Sequence, residues 1–255
     1  MKRYLAPILL LIKNTNSRLA IKLNIKGKLT LFIIVFGMIA PSITFGRQLT
    51  FYPEYKVYIN STNIESTELA LTAIKKAYDF FIGIGYSQTY FLDIVFQKEV
   101  LVKTRSDESI RVYGKLGKEG VIYLTEWNEP WLAGQNAYEM RMTKDFYESL
   151  IVHEVAHFIT EKIAHRKVEN ILSEYIAYVV QFSQMPSKTR QTILSKHPLS
   201  SFESDEISLD IFMFDPAVFA VKSYLHFKKS KGKYLKKIVS DTAEENHRFA
   251  YWQFH

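Results

Sequence analysis

The chain reads as an α+β protein in which a small, mainly antiparallel sheet packs against a helical half. Three observations predict this. Apolar residues alternate with period two in short runs as far as residue 125, and from residue 144 onward they recur with a period near 3.6. Apolar residues make up 47% of the 255, with only 10 Gly and 7 Pro, which excludes a disordered or collagen-like chain. Cysteine is absent, which excludes a disulfide scaffold.

The first segment to justify is the leader. Residues 1–46 hold seven basic side chains (Lys2, Arg3, Lys13, Arg18, Lys22, Lys26 and Lys28) and no acidic one. Of the 33 basic groups, 26 therefore remain in residues 47–255 to face all 26 acidic ones. The net charge of +7 thus belongs to the leader, and a formally neutral body gives no net attraction to nucleic acid or an anionic bilayer. Residues 29–40 are twelve uncharged, mostly apolar residues, followed by Pro41, Ser42 and the small Thr44 and Gly46 at −3 and −1 of a cut. That is the layout of a secretory signal, and the stretch is shorter than the roughly twenty residues of a membrane span. The expectation is an exported protein, periplasmic or secreted, cleaved after Gly46; the alternative is an uncleaved anchor over residues 29–45. The long basic region and the extra apolar patch at 5–12 also allow translation to begin nearer Ile25.

The body, residues 47–255, divides on pattern into a sheet-containing lobe over 47–135 and a helical lobe over 136–255. A strand is predicted over 55–59, then a helix over 67–82 with Ser66 as N-cap and Gly83 and Gly85 as its stop. Strands follow at 91–96, 111–113 and 121–125, read as an antiparallel set, the last two separated by a Gly-rich turn over 114–120. Helices are predicted near 144–164, 168–184, 187–195, 215–229 and 233–239, with a polar connector over 196–210. Trp127 and Trp131 form an aromatic turn ahead of the first of these helices, and the lysines at 228–237 read as a solvated face.

The chemistry lies in that first helix, at His153-Glu154-Val155-Ala156-His157. Imidazoles at i and i+4 share one helix face and can reach a single Zn²⁺, while Glu154 projects to the ion's open side, placed to take a proton from water. Tetrahedral zinc at a catalytic site takes a third protein ligand. A third His six residues past the second, with Gly at the third, would mark a metzincin, but those places hold Ile163 and Thr160. His165 and Glu161 lie too far along the same helix. Glu174, on the next helix and 17 residues past His157, shares a face with Ala177, Tyr178 and Gln181 and is the remaining choice.

At these residues the sequence resembles the gluzincin metallopeptidases, and within them the peptidase-MA-like families, which place a segment of the type W/L-S-E-G-x-A-E-Y after H-E-x-x-H. The resemblance covers residues 110–240, including 214–240, which look like that family's later helix pair. Here Tyr175 stands where the family has Gly, and the acidic residue before the last Tyr is missing. The resemblance implies a zincin-like fold, a zinc ion held by His153, His157 and Glu174, and hydrolysis of peptide bonds with Glu154 as general base. It also implies that Val121–Thr125 is the edge strand along which an extended peptide substrate lies. A donor to the oxyanion is required, for which Tyr178, Tyr224, His226 and His247 are candidates. The reading of a different class is a catalytically inactive envelope protein that keeps zinc for structure or protein binding.

Overall fold

The computed structural model describes residues 48–104, 107–164, 168–203 and 206–241, so the expected leader over 1–46 with its predicted cut after Gly46, and His165 and His247, lie outside the described residues. Strand β1 (Gln48–Tyr52) pairs antiparallel with β2 (Val57–Ser61), helix α1 (Ile64–Gly83) crosses over, and β3 (Leu92–Gln97) returns parallel to β2. A hairpin of β4 (Val100–Lys103) and β5 (Ser109–Val112) precedes β6 (Gly114–Leu116) and β7 (Val121–Thr125). The resulting sheet has the order β1-β2-β3-β7-β6.

Three sequence expectations change here. The strands β3 and β7 are parallel, so the sheet is mixed: its three central strands run parallel and antiparallel partners flank them. Val121–Thr125 is an interior strand between β3 and β6, and the edge is β6, formed by residues that read as a Gly-rich turn. The N-cap of α1 is Asn63, whose side chain accepts from Ser66 N–H at 2.9 Å; Ser66 instead accepts from Trp127 N–H at 2.9 Å and ties the helix start to the end of β7. The helix stop agrees with expectation: Gly85 at φ +107 lets Tyr86 N–H reach back to Phe81 O at 2.9 Å.

One face of the sheet carries Val57, Ile59, Leu92, Ile94, Phe96, Ile122 and Leu124, all buried under α1 and α3 (Lys144–Ile163). Between β7 and α3 lie α2 (Pro130–Ala133) and the hairpin of β8 (Asn136–Ala137) and β9 (Met140–Arg141). Its turn residues Tyr138 and Glu139 both have positive φ, 51 and 57, a twist that suits a two-residue hairpin and is uncommon for side chains other than Gly or Asn. Trp131 stacks on Tyr113 and Trp127 packs on Tyr147, so both tryptophans serve as packing.

Helix α3 begins at Thr143, whose side chain accepts from Phe146 N–H at 3.2 Å, and most of its 20 residues are buried because α1, the sheet and α4 (Asn170–Gln184) surround it. Helix α4 packs on α3, and its middle is buried on every side, so Ile176 and Val179 are as enclosed as Glu174. Then come α5 (Ser187–Lys196), α6 (Leu209–Phe214), α7 (Pro216–Lys229), which packs on α4, and α8 over 233–241. The short α6 follows directly on the predicted polar connector and is capped by Ser208. The result is an α+β fold, and among the described residues no helix is long and apolar enough to cross a membrane.

Candidate metal centre

The turn of α3 that carries His153, Glu154 and His157 lies beside α4 on one side and β6 on the other. His153 Nε2 and His157 Nε2 are 3.1 Å apart, Glu174 Oε2 is 3.5 Å from the first, and Glu174 Oε1 is 3.7 Å from the second. A tetrahedral ion with bonds of about 2.0–2.1 Å spaces its ligands about 3.3 Å apart, so these three donors stand at the edges of such a polyhedron before any adjustment. All three ligand atoms lie within 4.8 Å of one another, and the set of two nitrogens and one carboxylate oxygen is chemistry that suits zinc.

Electrostatics point the same way. Burial pushes the two imidazoles down, His153 to about 3 and His157 to about 4, so at neutral pH both are uncharged with a lone pair to give. Burial also pushes the carboxyls up, Glu154 to about 8 with help from Glu174, and Glu174 to about 7 against an opposing effect of His157. Two enclosed carboxylates beside neutral rings lack a compensating positive charge, and Glu174 Oε2 is buried without a hydrogen bond. A divalent cation between the ligands supplies that charge and favours the ionised carboxylates. His157 has 14% of its side chain exposed, against none for His153 and 6% for Glu174, so solvent reaches the centre from the His157 side.

The supports of these side chains were only partly visible in the sequence. Ser173, the residue before Glu174, places Oγ 2.8 Å from His157 Nδ1; with Nε2 turned to an ion, Nδ1 carries the proton and donates to that oxygen. Its signal was its adjacency to the ligand Glu. Gln181, two turns past Glu174, is anchored by donation from Nε2 to Ser149 Oγ at 3.2 Å, and its amide favours a proton on His153. Tyr175, in the place of the family's Gly, turns away from the ligands: it is fully buried and its hydroxyl is 2.9 Å from His226 Nδ1.

Glu154 faces the other way, toward the edge strand. Tyr113, Lys115 and Gly117 spend their main-chain groups on β7, as in the bonds Thr125 N–H to Tyr113 O at 2.9 Å and Gly117 N–H to Val121 O at 2.7 Å. By the alternation of an antiparallel ladder, the groups of Gly114 and Leu116 point to the open edge. The Leu116 backbone acts on the Glu154 carboxyl there and favours its ionised form.

Of the candidate oxyanion donors, Tyr178 stands with its ring 4.5 Å from that of His153. Tyr224 instead packs on Phe182 and under Arg190, and His226 is engaged by Tyr175 and Tyr234. Among the described residues, His153, His157 and Glu174 form one cluster able to hold a metal ion. No curated protein and no solved structure matches this chain. A family of unknown function, DUF6639, matches residues 57–247, a span that begins at β2 and contains α3, α4 and all four residues of the centre, and the chain belongs to that family.

Proposed function

We propose that this chain is a zinc-dependent peptidase, exported by way of its leader, that hydrolyses peptide bonds with Glu154 as general base. The observation that carries this reading is the convergence of His153 Nε2, His157 Nε2 and a Glu174 oxygen within 4.8 Å, with the Glu154 carboxyl beside an unpaired strand edge. His153, His157 and Glu174 would hold the ion, which when bound polarises the scissile carbonyl and makes water nucleophilic near neutral pH.

The rest is done by the chain's own groups. The outward main-chain groups of Gly114 and the carbonyl of Leu116 receive an extended peptide as an added strand, which fixes the direction of the substrate over the centre. Glu154 takes a proton from the attacking water and delivers it to the leaving amine as the C–N bond breaks. Ser173 holds His157 in the tautomer that leaves Nε2 free.

Replacing Glu154 by Gln in the full chain tests the reading. Hydrolysis of labelled casein should fall at least about a thousandfold while the zinc content stays at the wild-type value, since the ligands are untouched. Equal hydrolysis by both proteins would reject the general base. Zinc without hydrolysis in the wild type would favour the inactive zinc-binding protein.

A further inference from the structure

We infer that the lysine face formed by the end of α7, the turn after it and α8 docks on the surface of an anionic bilayer. The inference stands apart from the peptidase reading, since neither zinc nor hydrolysis enters it.

Residues 216–240 hold seven lysines and no Asp or Glu. Lys222 pairs with Glu206 and Lys229 with Glu203. That leaves Lys228, Lys231, Lys233, Lys236 and Lys237, all exposed, without an ion-pair partner among the described residues. Elsewhere Lys75, Lys76, Lys103 and Lys144 each pair with a carboxylate. The turn brings the five together: Lys231 and Gly232 take positive φ, 49 and 74, and Gly232 N–H reaches back to Phe227 O at 3.0 Å, so α8 starts beside the end of α7. Lys233, Lys236 and Lys237 then share one face of α8, while Leu235, Ile238 and Val239 are buried on the other.

Helix formation does not explain this arrangement. Lys228 and Lys229 suit the C-terminal end of α7, where the helix dipole favours cations, but Lys233 and Lys236 stand in the first turn of α8, where it favours anions. Like charges three and four residues apart also repel. An anionic surface reverses both effects. The acidic groups of residues 47–255 cancel the basic ones in sum, but at physiological ionic strength charge acts over only about 8 Å, so a bilayer meets the lysine face rather than the sum.

Apolar groups beside the lysines favour a bilayer over a soluble polyanion. Phe227, half-buried against Gly232, packs on Phe80 of α1 at 5.9 Å, and two residues on Ile82 is 49% exposed. Tyr234 is half-buried next to Lys233. Residues 249–254 add Phe249, Tyr251, Trp252 and Phe254, aromatic types that settle at membrane interfaces; these four lie outside the described residues. Lysine stems lie along apolar surface and carry the ammonium to the level of lipid phosphates.

The test uses the full chain with vesicles of equal parts phosphatidylglycerol and phosphatidylcholine, or of phosphatidylcholine alone. Lysines are acetylated briefly and each site is read by mass spectrometry, which separates this face from the lysines of residues 1–46. On the anionic vesicles Lys228, Lys231, Lys233, Lys236 and Lys237 should label severalfold more slowly, and salt at about 0.5 M should remove the protection. The exposed Lys98, Lys118 and Lys188 should label as they do in buffer. A lysine near an anionic leaflet is worth about fivefold in affinity, so with Lys233→Gln, Lys236→Gln and Lys237→Gln together, protecting Lys228 and Lys231 should need about 100-fold more lipid. The melting temperature of that variant should equal or exceed the wild-type value, because it relieves the repulsion in α8. Protection that is absent, equal on phosphatidylcholine alone, equal at Lys98, Lys118 and Lys188, or unmoved in the triple variant would overturn the inference. Protection of the five by heparin and not by vesicles would also overturn it, assigning the face to a soluble polyanion.

Discussion

A Cβ atom on Gly114 would stand 3.1 Å from Glu154 Cγ and 2.7 Å from Leu124 Cδ2, so the edge strand comes as close to Glu154 as a residue without a side chain permits. The approach explains why β6 can present its outward main-chain groups directly beside the Glu154 carboxyl. Gly114→Ala should therefore cost about 1–3 kcal/mol of stability through overpacking. It should reduce peptide turnover more than zinc affinity, because the ligands lie on α3 and α4. Denaturant unfolding, zinc content and turnover of the variant measured together check this, and unchanged turnover would separate the edge strand from the chemistry.

Zinc uptake should release close to two protons per ion between about pH 4.5 and 6.5. In the metal-free protein Glu174, raised to about 7, and Glu154, raised to about 8, hold protons over that range; the first must lose its proton to bind and the second loses it beside the ion, whereas His153 and His157, lowered to about 3 and 4, are already neutral. Affinity should fall as pH falls through this window. Calorimetry in buffers of different ionisation enthalpy reads the proton count, and release of one proton or fewer would show that Glu154 stays protonated beside the ion.

The metal-free protein should have a broad stability plateau between about pH 4.5 and 6.5. Glu154 and Glu174 are raised, so their contribution is full below the unfolded carboxyl value and is lost as pH rises through about 7 and 8. His153 and His157 are lowered, so the folded state binds fewer protons than the unfolded one below pH about 6.5, and stability falls with pH toward about 4 and 3. Between the two limits the slopes oppose each other. Thermal melts of chelator-treated protein should show the plateau, and added zinc should raise stability most above pH 7.

Glu126 anchors the fold away from the centre. Its buried carboxylate accepts from Ser61 Oγ at 3.0 Å, Thr62 N–H at 2.9 Å and Thr62 Oγ1 at 3.3 Å, joining the end of β7 to the turn before α1. Glu126→Ala should cost about 2–4 kcal/mol, since it leaves these donors unpaired. Zinc content should not change, and a loss below about 0.5 kcal/mol in urea unfolding would contradict the role given to the carboxylate.

What could be read from the sequence was what depends on local spacing. The i, i+4 histidines, the intervening Glu154 and the helical pattern around them need one helix only, and Glu174 follows from asking which acidic residue a second helix brings back. The edge strand was hidden because β6 has three residues and starts at Gly114, which looks like a turn until β7 pairs with it. The parallel pairing of β3 with β7 is a long-range choice with no local signature. Asn63 and Ser66 are both plausible caps, and only the partner Trp127 N–H, 61 positions away, decides between them. The roles of Ser173 and Tyr175 depend on which way each leaves α4, toward His157 or toward His226.

The three-ligand centre is tested most directly by the metal content of the purified full chain, wild type beside Glu174→Ala, by elemental analysis after dialysis. One zinc per wild-type chain is expected, lost or weakly held in the variant. No zinc in either protein, or zinc held equally by both, would contradict the three-ligand centre.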